Sequence, residues 1–246
     1  MLARKKPGAL ILGAVLWVLC AQAGPKPPAV MVWAWEQPMD LRRLDQSRVG
    51  VAFYAAMLGP GQDGHVRVEL RRQSLRTAFG AFEMPVVRLS SYGLGASHMA
   101  SAAAAVMKIV QTTKARAVQI DYDAPASELK NYRGLLRDLR ARLGPEVFLS
   151  ITALASWCGQ DSWLQDLPVD EVVPMAFRMG AEDPAWRNML AAGRDFAAPA
   201  CRNSLGVTLD EKLPAIPPRQ RIYIFTGWQQ PDTRLDELTQ KLEQKR

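Results

Sequence analysis

The sequence predicts an α/β fold, a compact (β/α)8 TIM-barrel-like single domain in which some helices are short or missing. Short segments rich in Val, Ile, Ala and Phe recur eight times, with helical or loop stretches between them. Most of these segments are near-continuous apolar runs, which is typical of parallel strands buried on both faces. The chain has 246 residues, of which 223 follow the predicted 23-residue leader, and this is close to the lower size of such barrels, typically about 250 residues. An open, doubly wound sheet is the structural alternative.

Residues 1–23 have the pattern of a secretory signal peptide. Arg4, Lys5 and Lys6 precede an apolar run from Ala9 to Cys20, and Ala21-Gln-Ala23 fits a small-residue cleavage site. The run is too short to span a bilayer comfortably, so contact with a membrane is expected only through an uncleaved signal. We therefore expect cleavage after Ala23 and export to the periplasm or the extracellular space.

The charge of the remaining chain is mild. Removing the signal removes three basic residues and no acid, so the formal net charge of +7 falls to +4. A balance of this size predicts a soluble protein and argues against nucleic acid as a partner. Gly93-Leu-Gly95 lacks the third glycine of a nucleotide-binding loop, so no nucleotide cofactor is expected.

Two cysteines, Cys158 and Cys201, remain after removal of the signal. In an oxidising compartment two thiols can pair, although the sequence does not show that these two lie close together. A catalytic Cys158 is the competing interpretation, but nothing in the sequence places either histidine, His65 or His98, beside it. The scarcity of histidine also argues against a zinc site, and no metal or other cofactor is expected.

Residues 24–29 form a proline-rich leader, and residues 30–246 form the predicted barrel domain. The predicted strands are Val30–Trp35, Val49–Met57, Val86–Tyr92, Ala117–Asp123, Phe148–Leu154, Glu171–Phe177, Ser204–Thr208 and Arg221–Thr226. The segment Val66–Leu70 fits either an extra strand or a loop excursion.

Helices are predicted where apolar residues recur at helical spacing between the strands. These segments are Ser97–Lys114, Ser127–Leu143, Ser162–Leu167, Pro184–Phe196 and Thr233–Gln244. The second has leucines on one face and a run of Lys and Arg on the other, which is most simply a solvated face. Gly144-Pro145 ends that helix.

The most informative segment is Arg116-Ala-Val-Gln-Ile-Asp-Tyr-Asp-Ala-Pro125, a strand pattern that ends in two acids. Side chains alternate along a strand, so Gln119, Asp121 and Asp123 share one face. Paired carboxylates at a strand end suit general acid-base chemistry, because each changes the proton affinity of the other. The alternative is that these acids cap the next helix or bind a loop amide.

Polar and aromatic residues collect at the predicted strand ends, where barrels build their active sites. Tryptophans at a polar opening suit sugars, which stack on indole and hydrogen-bond to polar groups. The arginines could bind an acidic sugar or keep the aspartates ionised, or form only salt bridges, and the tryptophans could simply be core. The candidate binding residues are Trp33, Trp35, Arg88, Tyr92, Gln119, Trp157, Arg178 and Trp228, whereas Trp163 and Trp186 look like helix packing.

When the closing prolines are superposed, Val118-Gln-Ile-Asp-Tyr-Asp-Ala-Pro125 resembles the fourth-strand signature Asp-Gly-Ile-Asp-Ile-Asp-Trp-Glu-Tyr-Pro of chitinase-like, family-eighteen type glycoside hydrolases. The resemblance implies that Asp123 is the catalytic acid and Asp121 the supporting aspartate. Gln119 falls on the preceding acid of that signature. Three later segments are also similar to strands of that family. The sixth strand, Met-Thr-Tyr-Asp, is matched by Pro174-Met-Ala-Phe-Arg178, the seventh by Leu205-Gly-Val207, and the last by Phe225-Thr-Gly-Trp228.

The chain also resembles, more closely, a secreted bacterial family of unknown function. Three motifs carry this resemblance: Gln119-Ile-Asp-Tyr-Asp123, Leu149-Ser-Ile-Thr-Ala-Leu-Ala-Ser-Trp-Cys158 and Leu167-Pro-Val-Asp-Glu-Val-Val-Pro-Met175. This second resemblance implies an exported, barrel-like protein and no assigned reaction.

Three positions depart from the hydrolase pattern. Asp123 is one methylene shorter than the Glu it replaces, Gln119 removes a carboxylate, and Phe177 lacks the phenol that holds the acetamido group of the substrate in chitinase-like enzymes. The leading hypothesis is an exported glycosidase of a cell-envelope or extracellular polysaccharide, with a second carboxylate among Glu36, Asp210, Glu211 and Asp232. The alternative is a non-catalytic barrel that binds carbohydrate.

Overall fold

The computed structural model describes residues 24–45, 47–159, 163–227 and 233–244. Within them, eight parallel strands close into a barrel, because β1 pairs with both β3 and β11. The predicted (β/α)8 barrel is confirmed. In chain order the strands are β1 (Val30–Ala34), β2 (Met39–Asp40), β3 (Val49–Pro60), β4 (Val66–Leu70), β5 (Leu75–Arg76), β6 (Glu83–Leu89), β7 (Ala117–Asp121), β8 (Phe148–Leu154), β9 (Glu171–Met175), β10 (Ser204–Thr208) and β11 (Arg221–Phe225).

Some helices are short or missing, as the chain length predicts. The described α-helices are α1 (Met99–Thr113), α2 (Leu129–Leu143), α3 (Ala155–Gly159), α4 (Asp183–Ala191) and α5 (Thr233–Gln244). Residues 209–220, all of them described, connect β10 to β11 without an α-helix. None of the described helices is long and apolar enough to cross a membrane.

The helix predicted at Ser162–Leu167 is wrong for the part that the structure describes. Residues 163–166 form turns, and the helix of this connection is α3, which directly follows β8. The side chain of Arg133, on α2, donates hydrogen bonds to the carbonyl oxygens of Trp163 and Gln165. These contacts satisfy backbone acceptors that a helix would otherwise use, so the turns are stable without helical hydrogen bonds.

The segment Val66–Leu70 is a strand, β4, which pairs antiparallel with β3 outside the barrel. Arg71 fixes this excursion to the end of β1, because its guanidinium donates to the carbonyl oxygens of Trp35 and Gln37, both at 2.6 Å. The excursion takes the place of a helix between β3 and β6.

The basic face of α2 is only partly solvated. Arg137 is exposed, but Arg133 and Arg140 hold neighbouring loops. Arg140 donates to the carbonyl oxygens of Gly144, Val147 and Pro168, at 2.8 to 3.1 Å. Arg133 and Arg140 therefore hold the loops that neighbour α2 in place. The distribution of charge along the helix does not reveal this role.

The barrel interior receives every second residue of its strands. On β7, Gln119 and Asp121 point inward, while Ile120 and Tyr122 pack in the apolar layer that includes the buried faces of α1 and α2. The lower interior contains a buried carboxylate, Glu171. It accepts hydrogen bonds from Ser150 (2.9 Å), Ser204 (2.5 Å), Tyr223 (2.6 Å) and Arg221. Every oxygen of this buried group is thus hydrogen-bonded, which is the condition under which a charge is tolerated in a core.

Cys158 and Cys201 form a disulfide, with a Cα–Cα distance of 5.9 Å. Both are fully buried, and the bridge joins α3 to the short 3-10 helix Pro199–Arg202 that precedes β10. A catalytic role for Cys158 is therefore excluded in the oxidised protein, because the sulfur is bonded and has no access to solvent.

Replacing both cysteines by alanine is expected to lower the free energy of unfolding by about 4 kcal/mol, since the bridge constrains an unfolded loop across a separation of 43 residues. Urea unfolding followed by tryptophan fluorescence measures this difference. Wild-type protein with reductant should fall to the same stability, while the double variant should not respond to reductant. A double variant as stable as the oxidised protein would contradict the prediction.

Candidate active site

Three neighbouring strands bring an arginine, an aspartate and a threonine together at their carboxyl ends. Arg88 on β6 is the register partner of Asp121 on β7, and Thr152 lies on the next strand, β8. Arg88 Nη1 donates to Asp121 Oδ2 at 2.9 Å, and Thr152 Oγ1 donates to Asp121 Oδ1 at 2.7 Å. Asp121 is buried, and both of its oxygens are hydrogen-bonded.

Asp123 lies just beyond the end of β7 and is held less firmly. Its Oδ2 is 3.5 Å from Arg88 Nη2, whereas its Oδ1 is buried and has no hydrogen-bond partner in the described structure. The side chain as a whole is 35% exposed. Burial and the charge of Asp121 raise the pKa of Asp123, and the charge of Arg88 opposes them. Asp123 therefore keeps its proton to a higher pH than an ordinary aspartate, which suits a general acid.

The two aspartates open into a pocket of about 370 Å³ at the carboxyl ends of the strands. This volume is in the range of small-ligand sites. Its aromatic wall consists of Trp35, Phe177, Trp186 and Phe225. Arg88 lies over the ring of Trp35, with Cζ 5.4 Å from the ring centroid. The charged lining residues are Arg88, Asp121, Asp123, Arg178 and Glu182.

Gln119 and Trp33 lie below the pocket, inside the barrel. Neither has any exposed surface, so the prediction that they contact a ligand directly does not fit the structure. The indole of Trp33 donates to Gln119 Oε1 at 2.8 Å, and Gln119 Nε2 donates to Ser150 Oγ at 2.9 Å. These residues support the floor of the site, because alternation along the strand places Gln119 one layer below Asp121.

Two other predicted binding residues are not part of the pocket. Tyr92 is 85% exposed and does not line it. Trp157 packs edge-on against Trp163, with ring centroids 4.7 Å apart, among the helices outside the barrel. Trp228 and Asp232, which were also predicted for the site, lie outside the described residues.

Arg178 is at the pocket, as predicted, in a backbone conformation that non-glycine residues seldom adopt. Its φ is +51°, and its N–H donates to Glu211 Oε1 at 3.1 Å. The guanidinium Nη2 is 3.6 Å from Asp210 Oδ2. That distance gives an ion pair without a hydrogen bond.

The predicted second carboxylates that the structure describes have other contacts. Glu36 accepts the N–H groups of Arg72 and Gln73 at a turn, and Glu211 accepts from Arg187 at 2.7 Å. Neither these two nor Asp210 lines the pocket. Glu182, which the strand-end pattern did not reveal, does line it. Its position in the sequence could have identified it, because Glu182 lies in the loop between β9 and α4, and loops that leave the carboxyl ends of barrel strands form the site.

Trp186 has a double role that the helical pattern did not show. It packs against Phe196, with centroids 5.5 Å apart, as predicted for a residue inside a helix. It also lines the pocket, and its indole donates to Glu182 Oε2 at 3.0 Å. Across the described ranges, no group of three or more His, Cys, Asp or Glu side chains could hold a metal ion.

Solved structures define the class of fold. The chain is similar to a fungal endo-β-N-acetylglucosaminidase of glycosyl hydrolase family 18, with 13% identity, a TM-score of 0.57, and 88% of this chain and 97% of that chain covered. It is also similar to the catalytic domain of a family GH18 chitinase from the fern Peteris ryukyuensis, with 11% identity, a TM-score of 0.55 and coverages of 86% and 98%. At these identities the likeness concerns the fold alone, a (β/α)8 barrel.

The more specific match is to a family without an assigned reaction. Residues 85–173 match the model described as "Domain of unknown function (DUF3142)", so the predicted resemblance to a family of unknown function is confirmed over that range. The range includes the motif around Asp121 and Asp123. Comparison with curated protein sequences finds no match.

Asp123→Asn is expected to stabilise the protein at pH 7, by about 1 kcal/mol or less because the carboxylate is a third exposed. The folded state raises the pKa of Asp123, so its ionisation costs stability as pH rises through the folded-state pKa. Asparagine carries no such charge, and the gain should vanish below a pH of about 4.

Thermal and urea unfolding across pH measure this difference. The control is Asp138→Asn on α2, which removes a surface carboxylate that pairs with Arg142 and should give no gain. If Asp123→Asn is no more stable than the wild type at pH 7, the charged carboxylate is not disfavoured by its surroundings.

Proposed function

We propose that this protein is an exported glycoside hydrolase of a cell-envelope or extracellular polysaccharide, with Asp123 as the general acid. The observation that supports this most directly is Asp123 itself. It combines a buried, unpartnered oxygen with a raised pKa, in an open pocket at the carboxyl ends of the barrel strands. A protonated carboxyl group of this kind can donate its proton to a glycosidic oxygen.

Each neighbour of Asp123 has a distinct task in this proposal. Asp121 stays in place through Arg88 and Thr152, and its charge raises the pKa of Asp123. Arg88 holds both carboxylates and limits that rise. The site thereby gives the two carboxylates different surroundings, because both oxygens of Asp121 are hydrogen-bonded whereas Asp123 holds its proton to a higher pH than an ordinary aspartate. Different surroundings are the usual way in which two acids divide their roles.

A glycosidase needs a second group to stabilise or attack the sugar, and we propose Glu182 for this task. It lines the same pocket and is oriented by the indole of Trp186. Phe177 has no phenol, so the residues of this site do not favour a mechanism in which the acetamido group of the substrate attacks. The separation of the two carboxyl groups in a ligand complex would distinguish retention, at about 5 Å, from inversion, at more than about 6.5 Å.

Carbohydrate is the proposed ligand because the pocket combines aromatic faces with hydrogen-bonding groups. The similar structures are, by name, a chitinase and an endo-β-N-acetylglucosaminidase. Amino-sugar polymers are therefore the first substrates to test.

The second candidate function is a carbohydrate-binding barrel without catalysis. One observation favours it: Arg88 contacts Asp123 as well as Asp121. Aspartate also places its carboxyl group closer to the main chain than glutamate would, which shortens its reach to a glycosidic oxygen.

Export is supported by the signal-like pattern of residues 1–23 and by the disulfide, which is typical of oxidising compartments. Protein recovered from the periplasm or medium should begin at Gly24. An unprocessed N-terminus in the cell pellet would contradict this part of the proposal.

Residues 24–246 should cleave at least one of chitin oligomers, peptidoglycan and amino-sugar or neutral polysaccharides, with products identified by mass spectrometry. Asp123→Asn should lower the rate about 10²- to 10⁴-fold, the usual contribution of a general acid. Asp138→Asn, remote from the pocket, should leave the rate unchanged. Retention of one polysaccharide without cleavage by any form would favour the binding barrel.

Arg88→Gln should move the high-pH limb of activity upward. The charge of Arg88 lowers the pKa of Asp123, so its removal lets the acid stay protonated at higher pH. Arg88→Lys keeps the positive charge and should shift the limb less. The pH dependence of kcat/KM tests this, and an unchanged limb in Arg88→Gln would mean that Asp123 does not set it.

A further inference from the structure

One charged group of the pocket has hydrogen-bonding capacity that the described structure does not use. Asp121 is bonded at both oxygens, Arg88 is committed to the two aspartates, and Glu182 accepts from Trp186. The guanidinium of Arg178, by contrast, donates no hydrogen bond to any described residue. Its nearest carboxylate oxygen, in Asp210, is 3.6 Å away, and its side chain is 59% exposed.

The backbone holds Arg178 at this rim. A positive φ of +51° is unusual for a residue with a side chain, and such conformations persist when the surroundings enforce them. Glu211 supplies that constraint by accepting the N–H of Arg178, and Arg187 in turn holds Glu211 through the other carboxylate oxygen. The main chain of Arg178 is therefore held at the rim by a hydrogen bond to Glu211, and the donor groups of its guanidinium remain available.

A planar guanidinium with available donors matches the two oxygens of a carboxylate. The neighbouring charges decide which anion suits it. Asp121, Asp123 and Glu182 line the same pocket, so a doubly charged phosphate would meet more repulsion than a singly charged carboxylate. The aromatic wall beside it suits the sugar ring that would carry this carboxylate.

We propose that Arg178 selects saccharides that bear a carboxylate, so the substrate is an acidic polysaccharide. The inference rests on the proposed carbohydrate site and names its substrate class. The carboxylate of a uronic acid and that of a lactyl ether share the required chemistry. Arg178 pairs with it on the substrate, while Asp123 faces the glycosidic oxygen.

The test compares each acidic saccharide with its own carboxyl-reduced, neutral form. One pair is a hyaluronan oligosaccharide, for uronate, and the other is a peptide-free peptidoglycan glycan strand, for the lactyl group. Calorimetric titration uses the Asp123→Asn variant throughout, so that no probe is cleaved. At least one acidic form should bind about tenfold more tightly than its reduced partner, an advantage that should shrink as salt is added.

Arg178→Gln in the same background should remove this preference and leave the affinity for the reduced forms unchanged. Arg137→Gln is the matched control, because it removes the same charge from an exposed position on α2. Thermal unfolding verifies that both variants are folded. Equal affinity for acidic and reduced forms, no binding of either acidic form, or a preference that survives Arg178→Gln would overturn the inference.

The outcome separates this inference from the proposed hydrolase. Wild-type protein that cleaves reduced and acidic forms at equal rates would uphold the hydrolase and refute the role of Arg178. Binding of an acidic saccharide that depends on Arg178, without cleavage by the wild type, would uphold the substrate class and refute the hydrolase.

Discussion

Closure of the barrel is the constraint on which the rest of the structure depends. Once β1 pairs with both β3 and β11, each strand must send alternate side chains into a closed interior. On β7 that rule places Gln119 and Asp121 at successive levels of one column, and on β8 it does the same for Ser150 and Thr152. The polar groups of the interior therefore meet across strands as hydrogen-bonded partners.

Hydrogen bonding of the polar groups in the barrel interior differs between its floor and its mouth. At the lower level, Glu171 has four hydrogen-bonding partners, and Gln119 is hydrogen-bonded at both ends of its amide. At the upper level, Asp121 is satisfied but Asp123 retains an oxygen without a partner. A buried carboxylate oxygen without a hydrogen bond is costly, and such costs are expected where a protein binds or transforms a ligand. Among Glu171, Gln119, Asp121 and Asp123, unused hydrogen-bonding capacity therefore lies at the mouth of the barrel.

Sequence patterns failed where two side chains of similar chemistry occupy different levels of the barrel. Trp33 and Trp35 both point inward from β1 and its end, yet only Trp35 lines the pocket, because Trp33 lies one layer deeper. Glu182 belongs to the connection between β9 and α4, and Trp186 lies in α4 itself, so no strand pattern applies to either residue. Their position depends on how α4 packs at the rim, through Trp186 against Phe196. The spacing of apolar residues indicates which side chains are buried, but it does not indicate how far along the barrel axis each side chain lies.

The sequence by itself determined the eight strands, most of the helices and the pairing of Asp121 with Asp123 on one face, because these follow from local periodicity and alternation. It also identified Arg88 and Arg178 as candidates. Only the tertiary structure decided that Arg88 bridges the two aspartates, that Cys158 meets Cys201, and that Gln119 supports the floor of the site. Each of these contacts joins residues that are 31 to 43 positions apart in the chain. The pairing of neighbouring strands brings the polar residues together, and the packing of the segments that follow β8 and precede β10 brings the cysteines together.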